Sequence, residues 1–268
     1  MPNRAEFHAA YALPDRTTPR VRMNFVSSID GAVSVEGRSG GLGGDGDRRL
    51  MQVLRSLCDV VLVGARTVLV EGYGGLRLEA EDAAWRESHG LPAQPRLAVM
   101  SRTLSVGPEH PFFAEAVTRP IVVTSAAAPV EQREALAAVA DVLVCGDDDV
   151  DLAEAMRALA ERGLSQVLCE GGPHVVGALA EAGLVSEVCV ALSPVLVGGD
   201  VDRTLLPASL TEVTPAIVSL PAGVSSEILL RRPDVIEAEY GLRAANADIG
   251  VARDVAARSR PSTLCAPP

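Results

Sequence analysis

Met23-Asn24-Phe25-Val26-Ser27-Ser28-Ile29-Asp30-Gly31 decides how this chain is read. A short apolar strand runs directly into a Ser-Ser-x-Asp-Gly turn, and a glycine-rich loop, Gly37 to Gly46, follows. Strands that break into small polar residues mark the ligand-binding end of an α/β sheet, because backbone there can approach a ligand closely. By itself such a turn is only a turn, so the reading depends on what the rest of the chain supplies.

Working outward, short β-branched runs alternate with amphipathic stretches. Strands are expected at Val21–Val26, Asp59–Gly64, Arg96–Met100, Ile121–Thr124, Val142–Cys145, Gln166–Glu170, Glu187–Leu192 and Ser225–Leu230. Several are continuous apolar runs, as strands buried on both faces require. Between them, Asp45 or Asp47 is placed to cap a helix with Leu50, Val53, Leu54 and Leu57 inward. Further helices open after Pro129, Asp151 and Pro173. Strand–helix–strand repetition predicts a three-layer α/β fold with a mainly parallel sheet. From about Val213 no helix intervenes, so an antiparallel C-terminal edge hairpin is expected. Three segments follow: an N-terminal extension (1–19), one domain (20–232) and a charged, alanine-rich tail (233–268).

Composition excludes several classes of function. A net charge of −11 and 3% aromatic residues leave no basic, stacking surface for nucleic acid. No apolar run approaches the roughly 18 residues of a membrane span, and the N-terminus has no signal-peptide pattern, so a cytoplasmic protein with no membrane partner is expected. The cysteines number five and form no Cys-x-x-Cys pair, and the four histidines are isolated, so no metal site is expected. No Gly-x-Ser-x-Gly elbow and no Gly-x-Gly-x-x-Gly fingerprint occurs.

What remains is a set of small loops at predicted strand ends. Val63-Gly64-Ala65-Arg66-Thr67 offers backbone N–H groups and a hydroxyl at a helix start, suited to a phosphate or pyrophosphate. Glu170-Gly171-Gly172-Pro173 lets a ligand lie against bare backbone. Ser101-Arg102 pairs a hydroxyl with a guanidinium, a combination that reads a ribose 2′-phosphate.

Those motifs, with Leu54 to Thr67 and Ser193-Pro-Val-Leu-Val-Gly-Gly199, resemble in order and spacing the riboflavin-biosynthesis pyrimidine reductases, whose domain has a dihydrofolate-reductase-like fold. Glu71-Gly-Tyr-Gly-Gly-Leu-Arg77 is similar to the stand-alone actinobacterial members. The resemblance implies an NADPH-dependent homodimer that reduces the ribose of a ribosylamino-pyrimidine 5′-phosphate to a ribityl chain. It implies that Val63, Gly64, Thr67, Ser101, Arg102, Thr124, Gly171 and Gly172 contact NADPH. Asn24, Ser27, Asp30, Ser39, Arg55 and Arg77 would face the substrate, the arginines reading its phosphate. Glu71, Glu170 and Asp30 are the candidate catalytic groups, with water a further proton source. Asn24 stands where the family usually has lysine, and Glu71-Gly-Tyr where it has an acidic-Asn-Pro motif. Those departures keep two alternatives open, a dihydrofolate reductase and a non-catalytic NADP-binding regulator. Arg55 divides the two kinds of reading: helical periodicity turns it away from the apolar stripe toward solvent, whereas the resemblance turns it into a cleft.

Overall fold

The computed structural model describes residues 4–13 and 15–198. In chain order the elements are α1 (Arg4–Tyr11), β1 (Arg20–Ser28), α2 (Asp45–Leu57), β2 (Val60–Gly64), α3 (Ala65–Glu71), α4 (Ala80–Ser88), β3 (Arg96–Met100), α5 (Pro111–Ala114), β4 (Ile121–Thr124), α6 (Val130–Ala137), β5 (Asp141–Val144), α7 (Leu152–Ala160), β6 (Gln166–Cys169), α8 (Pro173–Glu181) and β7 (Glu187–Ser193). The expected strands before residue 199 all form, to within two residues at either end. The hairpin expected from Val213, the strand at Ser225–Leu230 and the tail lie outside the described residues.

The strands form one seven-stranded sheet in the order β5-β4-β3-β2-β6-β1-β7, and every pairing in it is parallel. Strand periodicity divides the apolar residues into two cores. Val61, Val63, Leu97, Val99, Val122 and Leu168 face one side, with Leu54 of α2, Val68 of α3, Phe112 of α5 and Leu136 of α6. Val60, Leu62, Ala98, Ile121, Val123 and Val167 face the other, with Met156 and Leu159 of α7 and Val176 and Leu179 of α8. Connections stepping from β1 through β2 to β5 use the first side. Those returning from β5 to β6 and β7 use the second, as a single crossover hand requires.

Because β6 returns between β2 and β1, the sheet has a topological switch there, and its carboxyl end is where a crevice opens. Asp151 caps α7 as expected, accepting from Glu154 N–H at 2.9 Å. The α2 cap is a correction: Gly44 is the N-cap and neither Asp45 nor Asp47 bonds there. The N-terminal extension contributes α1, which is fastened to the body. His8 is buried, bonded to Ser56 Oγ at 2.8 Å and stacked on Trp85, while Arg4 reaches Glu79, Glu81 and Asp82. No described helix is long and apolar enough to cross a membrane.

Candidate active site

The carboxyl ends of β1, β2 and β6 border a cleft of about 680 Å³. Asn24 and the Gly171–Gly172 pair contribute to its walls, α2 supplies Asp47, Arg48 and Met51, and the glycine-rich loop folds Ser39 and Gly40 across one side. Ser39 N–H donates to Glu71 Oε1 at 2.7 Å, tying that loop to the end of α3. The Asn24 side chain is buried, and its Oδ1 has no hydrogen-bond partner among the described residues. An unpaired carbonyl beside a cavity costs about 1–3 kcal/mol unless a ligand donor meets it.

Glu170 is the hub of this cleft. Its side chain is only 3% exposed, and Arg55 donates to it twice, Nε to Oε1 and Nη2 to Oε2, both at 2.7 Å. Tyr73 Oη donates to Oε2 at 2.9 Å. Burial works against the Arg55 charge, but the Glu170 carboxylate more than offsets it and holds the guanidinium protonated. Burial and then the negative Glu170 push the Tyr73 hydroxyl well above its usual range, so it remains a donor. Both Glu170 oxygens are thus engaged as acceptors. Glu170 suits anchoring a ligand hydroxyl or amine better than protonating one.

Along the same edge of the sheet runs a second set of groups. Gly64 N–H donates to Gly171 O at 2.8 Å and Glu170 N–H to Leu62 O at 3.0 Å, so the β2–β6 ladder delivers the glycine pair beside Gly64. A Cβ on Gly172 would fall on Thr67 Oγ1, so no side chain larger than hydrogen fits there without a shift of Thr67. Ser101 is buried at the end of β3 and Arg102 is exposed beside it. Thr124, at the end of β4, is fully buried with Oγ1 unpartnered. Glycine backbone, three hydroxyls (Thr67, Ser101 and Thr124) and two cations, Arg66 and Arg102, laid across β6, β2, β3 and β4 fit an extended dinucleotide. Val63 is a core residue and could offer only backbone.

Several expected residues fall elsewhere. Asp30 does not line the cleft. Its carboxylate accepts from Ser28 Oγ at 2.6 Å, Val197 N–H at 3.2 Å and Gly198 N–H at 2.8 Å. Those bonds hold it down at about 2, against 3.8 ordinarily, and engage the carboxylate in the turn. Because the folded value is the lower one, this contribution is present above about pH 3.8 and is lost as pH falls through about 2. Asp30→Asn is therefore expected to flatten the loss of stability over that window, read by urea unfolding at stepped pH; an unchanged acid limb would contradict it. Ser27 is buried and donates to Ser28 O at 3.1 Å, away from the cleft. Arg77 is exposed and outside the cleft lining, and Arg55 is committed to Glu170, so neither is poised on an open wall for a phosphate.

Sequence reading passed over Tyr73 and Asp47. Tyr73 sits in the very Glu-Gly-Tyr-Gly segment that departs from the family, and that departure was the available signal. Asp47 was read as a cap, yet it is half-buried on the cleft wall. Burial pushes its carboxyl up, Glu170 adds to the effect, and Arg48 opposes it.

A family model for the RibD C-terminal domain matches residues 19–218. The chain belongs to that family. Its members are oxidoreductases of riboflavin biosynthesis with the three-layer α/β fold, and their reaction calls for a nicotinamide cofactor. This RibD-type domain is 30% identical over 188 residues to the 2,5-diamino-6-ribosylamino-4(3H)-pyrimidinone 5′-phosphate reductase of Methanothermobacter thermautotrophicus, covering 70% of this chain and 83% of that one. A pyrimidine reductase-like protein from Corynebacterium diphtheriae superposes with a TM-score of 0.67 at 26% identity, over 78% of this chain and 89% of the other. A stretch of 36 residues, 13% of the chain, is 69% identical to 8% of the cation efflux system protein CusC of Escherichia coli. So short a match carries no argument about function.

Proposed function

We propose that residues 20–232 form an NADPH-dependent reductase that converts the ribose of a 5-amino-6-(5-phosphoribosylamino)pyrimidine to its ribityl form, in the cytoplasm and as a homodimer. The observation that carries the reading is the continuity of the carboxyl edge. Arg66, Thr67, Gly171 and Gly172 line the same cleft as Glu170 and the unpartnered Asn24 carbonyl, and Ser101 and Thr124 stand at the carboxyl ends of the next two strands of that sheet edge. When bound, the nicotinamide supplies the hydride; the protein's part is orientation and a proton.

In this reading Gly64, Thr67, Gly171 and Gly172 hold the pyrophosphate end with Arg66, while Ser101, Arg102 and Thr124 hold the adenosine end. Asn24 and Glu170 hold polar groups of the substrate, and Ser39 shapes the wall above them. Arg55 and Tyr73 fix the Glu170 carboxylate in one orientation. Asp47 and Glu71 are the cleft carboxyls left to hold and deliver a proton. Of these, Asp47 has the environment that raises proton affinity. Arg48, near the start of α2 and exposed, holds only a surface pair with Asp45 at 3.1 Å and is offered to the substrate phosphate while Arg55 stays buried against Glu170.

The test is NADPH oxidation by the purified chain with the ribosylamino-pyrimidine phosphate and with dihydrofolate, side by side. Turnover of the first and not the second is expected. Turnover of dihydrofolate alone would make this a pteridine reductase. Tight NADPH binding with neither substrate reduced would make it a regulator.

A further inference from the structure

We propose that the acidic turn after β5 sets the nucleotide preference of this reductase, with Asp149 competing against a cofactor 2′-phosphate for Arg102. The inference rests on the reductase reading above and extends it to a residue outside the motifs considered so far.

The turn Gly146-Asp147-Asp148-Asp149-Val150-Asp151 stands at the carboxyl end of the edge strand β5, which pairs with β4, itself the neighbour of β3. It therefore forms the outer bank of the edge at which Ser101, Arg102 and Thr124 end their strands. Arg102 Nη1 lies 4.0 Å from Asp149 Oδ2, and both side chains are largely in solvent. The turn is not a loose arm. Ala126 and Ala127 N–H donate to Gly146 O and Asp147 O at 2.9 and 2.8 Å, and Gly146 N–H donates to Glu154 Oε2 at 2.8 Å. Gly146 has φ +81°, and a Cβ there would press on Asp151 N at 2.8 Å, so the turn's course is fixed. Asp151 is occupied as the α7 cap, and Asp149 Oδ1 accepts from Val150 N–H, leaving Oδ2 toward Arg102.

Thr124, one strand inward, is fully buried and its Oγ1 has no partner among the described residues. Buried hydroxyls are normally satisfied, so this orphan is an unusual feature of the strand end beside the turn.

The two charged residues favour different nucleotides. A guanidinium favours the dianionic 2′-phosphate of NADPH, while a carboxylate accepts from the 2′-hydroxyl of NADH and repels the phosphate. Here the two stand together, so the chain is expected to discriminate weakly, with the two affinities within about tenfold at equal salt.

The experiment titrates the purified full chain with NADPH and with NADH, followed by nucleotide fluorescence at low and physiological salt. Asp149→Asn is expected to tighten NADPH about fivefold and leave NADH unchanged or slightly weaker. The gain should shrink at higher salt because the groups are exposed. Arg102→Ala should weaken NADPH at least about tenfold with little effect on NADH. Thermal unfolding of each variant checks that the fold is kept. An Asp149→Asn protein whose NADPH affinity stays within about twofold, or whose two affinities move together, overturns the proposal. Wild-type protein that binds neither nucleotide would instead overturn the reductase reading on which it rests.

Discussion

Arg55→Met is expected to cost about 3–5 kcal/mol of folding stability, because it leaves the Glu170 carboxylate buried without its counter-charge. Glu170→Met should be damaging for the converse reason, stranding a guanidinium that is 12% exposed. The double variant Arg55→Met/Glu170→Met should recover most of the loss, since two apolar side chains replace a pair whose desolvation offset much of its attraction. Urea unfolding of the four proteins closes the cycle. Single variants that each cost less than about 1 kcal/mol would show the pair to be hydrated and exchangeable. Activity separates structure from chemistry in the same set. A double variant that is stable yet inactive assigns Glu170 to the substrate, whereas one that is stable and active reduces the whole arrangement to a fastener between α2 and β6.

Gly172→Ala is the second large effect. The new methyl would fall on Thr67 Oγ1, and under the proposed cofactor placement it would also cover the backbone that the pyrophosphate approaches. The steric part is expected at about 1–3 kcal/mol. The binding part is expected as a loss of at least about tenfold in NADPH affinity. Thr67→Ala removes the oxygen that the methyl meets, so Gly172→Ala/Thr67→Ala should regain stability without regaining the cofactor. A Gly172→Ala protein that binds NADPH like the wild type would place the nucleotide elsewhere.

Much of the fold was legible because its signals are local. Val60–Gly64, Arg96–Met100 and Ile121–Thr124 are continuous apolar runs, and only a sheet covered on both faces buries them completely. Helix starts were less legible. Asp151 caps α7 because its carboxylate meets the Glu154 N–H, whereas Asp47 lies three residues inside α2 and points to the cleft instead. Sequence separates those two aspartates poorly, since both precede an apolar stripe.

The site was half legible for a related reason. Glycines at strand ends are visible in the chain, so Gly64, Gly171 and Gly172 could be placed. Arg55 could be named but not assigned a partner, because its contact with Glu170 spans 115 positions of sequence. Periodicity turned it toward solvent, yet the structure turns it into the cleft edge and pairs it there. Tyr73 and the orphaned Asn24 carbonyl need the third dimension altogether. Each is an ordinary polar residue until β6 brings Glu170, or the cleft, beside it.

The central claim is that one continuous edge holds cofactor and acceptor close enough for hydride transfer. Single turnover with NADPH deuterated at the nicotinamide C4, using the purified chain and the ribosylamino-pyrimidine phosphate, tests it most directly. The account predicts a product in which the label sits on the newly formed ribityl carbon, at a rate tied to nucleotide consumption. Nucleotide consumed with no label in the product, or no consumption although both ligands bind, would contradict it.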